Sequence, residues 1–369
     1  MKKEENLIVK SYVIILLLLL LQVTLFSQVA SIKEMEGQIN IIRNAIPVKL
    51  NLGDEIFEYD FIEVGDNSKI KIGLYGINGI ASDLTLYSNT HSLICYSSLK
   101  DMQDAKIYLF KGSLEVVIYE VVQGSSFSVD LNNYFFMTDA PAKFYVNCEY
   151  FNNYFVSVFD GVLKHYNKDE YWISGGTSIL LWDNNSFLYK TSDSVSQNVI
   201  ENLKEMSRKN FVSLNNSRLT YIFLKYIEDS FRFDFVYDYL VRDPKFNTIY
   251  SKWSLEDKNY TLGNRVDMIN YVNYLRGRIG ILFNNFIYLA NVFFFIEDIV
   301  KHSSNVFDKV NIHGAILKYL KGYKKNRSSL TKKFFKTVHS FKMYLIRTNG
   351  DIPSNLSINE FYLLKPREF

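Results

Sequence analysis

Alternation of apolar and polar residues governs the first half of the chain and gives way to helical periodicity in the second. Lys69-Ile70-Lys71-Ile72, Phe127-Ser128-Val129 and Val156-Ser157-Val158 have the period of a half-buried strand. Residues 114–122 are rich in β-branched side chains and predict a more buried strand. Glycines punctuate these runs. Leu52-Gly53-Asp54, Phe110-Lys111-Gly112-Ser113-Leu114, Phe159-Asp160-Gly161-Val162 and Ile173-Ser174-Gly175-Gly176 each read as strand, turn, strand. Residues 32–190 are therefore expected to form an all-β module, a β-sandwich or β-roll. Its loops after Gly53, Gly79 and Gly112 are the expected recognition sites, because loops on a rigid β scaffold carry recognition.

Residues 191–197, TSDSVSQ, form a polar junction able to cap a following helix. Beyond it, residues 199–213, 218–231, 265–302, 306–323 and 330–347 follow a helical pattern, with one break expected at Asp243-Pro244 and another near Gly277 or Gly280. Residues 195–369 thus predict a mainly α-helical C-terminal domain of ordinary size.

The N-terminus adds a compartment. Lys2 and Lys3 precede an apolar run that begins at Val13 and continues to Phe26. Its length suits a signal-peptide core and is short for a spanning helix, which needs about 20 residues. Residues 1–27 are read as a signal peptide cleaved near Ser27, or as an uncleaved signal anchor. Either way the remainder is expected to be periplasmic or otherwise extracytoplasmic, soluble or held at the cytoplasmic membrane by residues 13–26.

Composition excludes more than it identifies. An apolar content of 48% is ample for a packed core and argues against disorder. Cys95 and Cys148 read as two buried thiols or as one bridge. The five histidines are scattered without metal-ligand spacing, and neither a nucleophile elbow nor a phosphate loop occurs. Asp54, Asp60, Asp66 and Asp160 read as turn aspartates, or else as an acid–base or oxygen-ligand set. No cofactor, metal or catalytic residue is expected.

Two stretches in the second half stand out. Residues 280–296, GILFNNFIYLANVFFFI, read as a helix buried at the centre of an all-α bundle, or as a short membrane span burdened by three asparagines. Residues 309–350 hold eleven Lys or Arg and no acid, leaving 31 basic against 39 acidic residues elsewhere. Within them Phe334, Val338, Phe341 and Leu345 share one helical stripe, with Lys332, Lys336 and Arg347 opposite. Such a basic amphipathic helix predicts contact with an anionic membrane surface, a cell-wall polymer or an acidic envelope protein partner, and not with nucleic acid. The candidate contacts are Lys324, Lys325, Arg327, Lys332, Lys333, Lys336, Lys342 and Arg347. The bland alternative is a helix whose stripe packs on its own core.

In order, the glycine motifs resemble the FecR domain family. The elements are Met35-Glu36-Gly37-Gln38-Ile39, Leu52-Gly53-Asp54, Ser68-Lys69-Ile70-Lys71-Ile72, Leu84-Thr85-Leu86, Lys111-Gly112-Ser113-Leu114-Glu115-Val116, the corner Thr138-Asp139-Ala140-Pro141-Ala142, Asp160-Gly161-Val162-Leu163 and Gly175-Gly176. The middle turn, Leu74-Tyr75-Gly76-Ile77-Asn78-Gly79, departs from the family pattern, as does the segment Val146-Asn147-Cys148. The resemblance implies an extracytoplasmic β-rich module for sensing, binding or scaffolding, without catalytic residues. The family's namesake relays a signal to a sigma factor through a cytoplasmic N-terminal domain. Only about twelve residues precede the apolar run here, so that role is not carried over. The expected function is a non-enzymatic envelope binding or assembly scaffold. A FecR-type signal relay and a cell-wall-acting enzyme are the alternatives.

Overall fold

The computed structural model describes residues 28–348 apart from 75–78, 98–103, 132–133, 152, 167–169, 183–184, 191–196, 213–215, 303–310 and 312. The signal segment and residues 191–196 of the polar junction lie outside the described residues. The first strands are β1 (Gln28–Glu36), β2 (Ile39–Arg43), β3 (Ile46–Val48), β4 (Glu55–Phe57), β5 (Phe61–Val64), β6 (Lys69–Leu74), β7 (Ile80–Leu86) and β8 (His91–Ser97). They lead into the long β9 (Asp104–Val121). Then follow β10 (Ser126–Leu131), β11 (Tyr134–Thr138), β12 (Ala142–Tyr150), β13 (Asn153–Asp160), β14 (Val162–Tyr166), β15 (Glu170–Ser174), β16 (Thr177–Trp182) and β17 (Asn185–Lys190).

The pairings resolve into two sheets with β9 in the middle of both. One runs β4-β1-β6-β7-β9-β12-β13-β16-β17 and is antiparallel throughout. The other runs β3-β2-β5-β8-β9-β10-β11-β14-β15, with β9–β10 its parallel pair. Lys111 is the last β9 residue paired in the second sheet, opposite His91, and Gly112 the first paired in the other, opposite Cys148.

This corrects the reading of the Gly112 motif as a turn. The strand continues through it and changes sheets. Gly112 has φ +105°, and a Cβ there would overlap Thr90, so the crossing needs glycine. Thr90 brackets the point: its hydroxyl accepts from Ser113 N–H at 3.0 Å and donates to Ser113 O at 3.2 Å. No recognition loop follows Gly112. The glycines at 53, 161 and 176 do lie in turns, all with positive φ.

The helices are α1 (Gln197–Val212), α2 (Asn216–Arg242), α3 (Pro244–Lys258), α4 (Arg265–His302), α5 (Gly314–Lys321) and α6 (Tyr323–Arg347). The fold is thus a large β region followed by a helical region, as the pattern predicts. Details differ. Helix α4 runs unbroken past Gly277 and Gly280. Asp243-Pro244 breaks the chain by starting α3: the Asp243 carboxylate accepts from Lys245 N–H, and Pro244 needs no donor at a helix start.

The apolar run of α4 is not the centre of an all-α bundle. Its apolar residues cover most of its circumference because strands flank it as well as helices, leaving Tyr288 exposed. By length and composition it could cross a bilayer, yet 83% of its most apolar window is buried within the fold. Phe61 of β5 packs on Phe294 of α4 and Phe335 of α6 at 5.8 and 5.5 Å between ring centroids. Phe110 of β9 packs on Phe286 and Phe294 at 5.8 and 6.0 Å. Strands and helices therefore share one continuous core, and each phenylalanine buried there contributes about 1.5–3 kcal/mol. A smaller cluster fixes α1, whose Ile200 and Leu203 bury against Tyr145, Phe155 and Leu180.

Candidate functional site

Where β9 changes sheets the surface opens into a polar cavity of about 220 Å³, lined by Gln38, Asn40, Glu63, Asp66, Asn89, His91, Lys111 and Arg327 among others. Pairing explains how the β side assembles. β5 lies between β2 and β8, which sets Glu63 opposite Asn40 on one side and His91 on the other. His91 in turn faces Lys111 across β8–β9. Arg327 reaches the cavity from α6. The His91 ring stacks on Phe294 at 4.2 Å, so the shared core forms its back wall.

Charge is tightly arranged there. His91 Nδ1 lies 3.7 Å from Glu63 Oε1. Burial alone would raise the Glu63 carboxyl. The close approach and charge of His91, with the nearby Arg327 charge and Asn40, outweigh it and hold Glu63 below its ordinary range. Lys111 is 3% exposed, a burial that lysine tolerates only with partners. Among the described residues, no group of three or more His, Cys, Asp or Glu could hold a metal.

The basic stretch is divided by the structure. Lys325 and Lys332 are exposed, and Arg327 lines the cavity. The side chain of Lys324 lies outside the described residues. Lys333 is bound to the fold, 2.6 Å from Asp234 and 3.0 Å from Asp238 of α2. Lys336 lies over the Tyr250 ring at 4.7 Å, and burial lowers its pKa. Burial likewise lowers Lys342, against the opposing charges of Asp60 and Glu58.

Arg347 is a correction. Instead of facing out opposite the apolar stripe, its side chain is 0% exposed and binds Asp257 at 2.7 Å and Glu256 at 3.1 Å. The stripe itself, Phe334, Val338, Phe341 and Leu345, is buried in the core. The stretch is free of acids in sequence but not in space, because α2, α3 and the β4–β5 turn supply them.

Sequence reading named two cavity residues, Arg327 as a basic contact and Asp66 as a turn aspartate. It missed Glu63, His91, Lys111 and Asn40, which come together only through cross-strand register. Both cysteines are buried and free, so the unbridged reading holds.

No family model matches the chain, and no curated protein does. Among solved structures it is similar to two crystal structures of a candidate anti-sigma factor from Parabacteroides distasonis ATCC 8503, at 15% and 14% identity and TM-score 0.31. The chain spans 60% of the length of those structures, over 36% of its own. A likeness at this level assigns neither family nor function.

Proposed function

We propose that the chain is a non-enzymatic, extracytoplasmic binding or assembly protein of the cell envelope that engages a protein partner at the cavity beside the sheet crossing. The observation that carries this reading is the polar cavity itself, in which strand register sets Glu63 between Asn40 and His91, with Lys111 and Arg327 in the same lining. Carboxylate-based cleavage of cell-wall glycans needs an acid whose pKa is raised so that it keeps its proton, and Glu63 is shifted the other way. Asp130, Asp229 and Asp257 are raised by burial, and none of these three lines the cavity. The cavity offers fixed donors and acceptors of both signs on a rigid base, which suits recognition.

A photo-crosslinker at exposed Asn89 on the rim, in cells making the full chain, tests this. A defined envelope protein should be captured, and capture should be lost in Glu63→Lys and Arg327→Glu. Capture that persists in both variants overturns the site. The ordered FecR-like glycine motifs favour a second reading, a signal relay. There the captured partner is a regulator rather than a structural envelope protein.

A further inference from the structure

The turn between α3 and α4 is apolar where water should favour polar residues. Leu255, Tyr260, Leu262, Val266 and Ile269 are all exposed, Tyr260 at 75% and Val266 at 66%. The turn is built rather than loose. Asn259 N–H donates to Leu255 O at 3.0 Å, Thr261 N–H to Glu256 O at 2.9 Å, and Asn264 Oδ1 caps α4 by accepting from Val266 N–H at 2.8 Å. Tyr260 holds φ +55°, which a bulky residue rarely adopts. A rigid apolar projection of this kind marks an interaction surface.

Its neighbours indicate what covers it. Gln28, where β1 begins, pairs with Phe57. Lys342 of α6 lines a small pocket with Tyr59 of the following turn, and Arg347, five residues further along α6, binds Asp257 in the last turn of α3. The start of β1 and the end of α3 therefore both lie beside the last turns of α6. Charge is also biased. Arg347 takes Glu256 and Asp257, and Lys252 takes Asp267 at 2.6 Å. Lys258 and Arg265 remain exposed at the turn. Tyrosine and aliphatic side chains beside cations are the composition of segments that seat in the headgroup layer.

We propose that the α3–α4 turn seats in the headgroup region of an anionic lipid bilayer and orients the molecule on the membrane. This rests on the extracytoplasmic, membrane-proximal reading of residues 13–26.

The test uses the full chain with Leu262→Cys carrying an environment-sensitive fluorophore, and Val122→Cys as control. Val122 is exposed ten residues beyond Gly112, and the two native thiols are buried. With phosphatidylcholine–phosphatidylglycerol vesicles, the label at 262 should shift to the blue and be quenched by doxyl lipids, while the label at 122 does neither. Equal exposure of both labels overturns the proposal. So does a label at 262 that is shielded from water yet not reached by doxyl lipids, because a second copy or a protein then covers the turn. Vesicle flotation of the full chain carrying Leu262→Asp and Val266→Asp reports on residues 13–26 with the turn disabled, so failure of the anchor is distinguishable from failure of the turn. Lys258→Gln and Arg265→Gln should each lower the inserted fraction by about fivefold. No change in either overturns the anionic surface.

Discussion

Phe341 of α6 lies parallel to Phe283 of α4, ring centroids 3.8 Å apart and planes within 7°. Tyr59, from the turn between β4 and β5, meets both rings edge-on, at 5.9 and 6.5 Å. One tyrosine of the β region thus closes a stack made by two helices. Phe341→Ala should cost about 3–5 kcal/mol, the range for a buried aromatic lost to a cavity. Denaturant unfolding followed by near- and far-ultraviolet dichroism should show one shifted transition. Two separate transitions would contradict the shared core.

Arg347 makes a second prediction. Its buried guanidinium serves two carboxylates and covers the Trp253 ring at 4.6 Å. Arg347→Ala leaves two half-buried acids without their cation and should cost about 3 kcal/mol, the low end for a broken buried pair. Arg347→Lys keeps the charge but loses the planar fork, so it should fall between the two. Chemical denaturation of the three proteins orders them.

Acid sensitivity should be traceable to His339. Burial, helped by the charges of Lys342 and Arg347, lowers its pKa from 6.5 to about 4. The native state thus binds this proton less readily than the unfolded chain. Stability is fully present above about pH 6.5 and is lost as pH falls towards 4, by about 3 kcal/mol from this residue alone. In His339→Gln the slope of stability against pH should flatten across that window. An unchanged slope would place the proton uptake elsewhere.

The thiols offer a probe without mutation. Burial pushes the Cys95 and Cys148 thiols well above their ordinary range, and thiolate is the reactive form. Both should be silent to a disulfide reagent in native buffer and react at the rate of global unfolding. Fast labelling of Cys148 would show local opening around the sheet crossing.

Gly112→Ala should destabilise the protein by on the order of 3 kcal/mol, through the forced φ and the overlap with Thr90. A thermal melt settles it. A neutral result would mean that β9 can cross between sheets without the left-handed residue.

Much of the fold was legible because its causes are local. Alternation at Lys69–Ile72 and turn chemistry at Gly53 and Gly161 do not depend on distant residues. Gly112 carried the same letters as a turn glycine but serves a strand crossing, since a positive φ can kink a strand as well as reverse it. The boundary at Asp243-Pro244 was visible, but the helix after it was not, because its buried face is sparse: Phe246, Ile249 and Trp253. The cavity was nearly invisible. Glu63 and His91 are ordinary residues until β5 and β8 align, and no local motif around either residue marks that alignment. The acids that neutralise the basic stretch were hidden likewise, in elements distant in sequence.

The shared core also constrains the order of synthesis. Phe61 and Phe110 are covered by Phe286, Phe294 and Phe335, all far downstream. A chain emerging from its N-terminus therefore presents an uncovered aromatic wall while α4 and α6 are still unmade. During that interval the wall is open to water and to other chains, and it is closed only when α6 arrives.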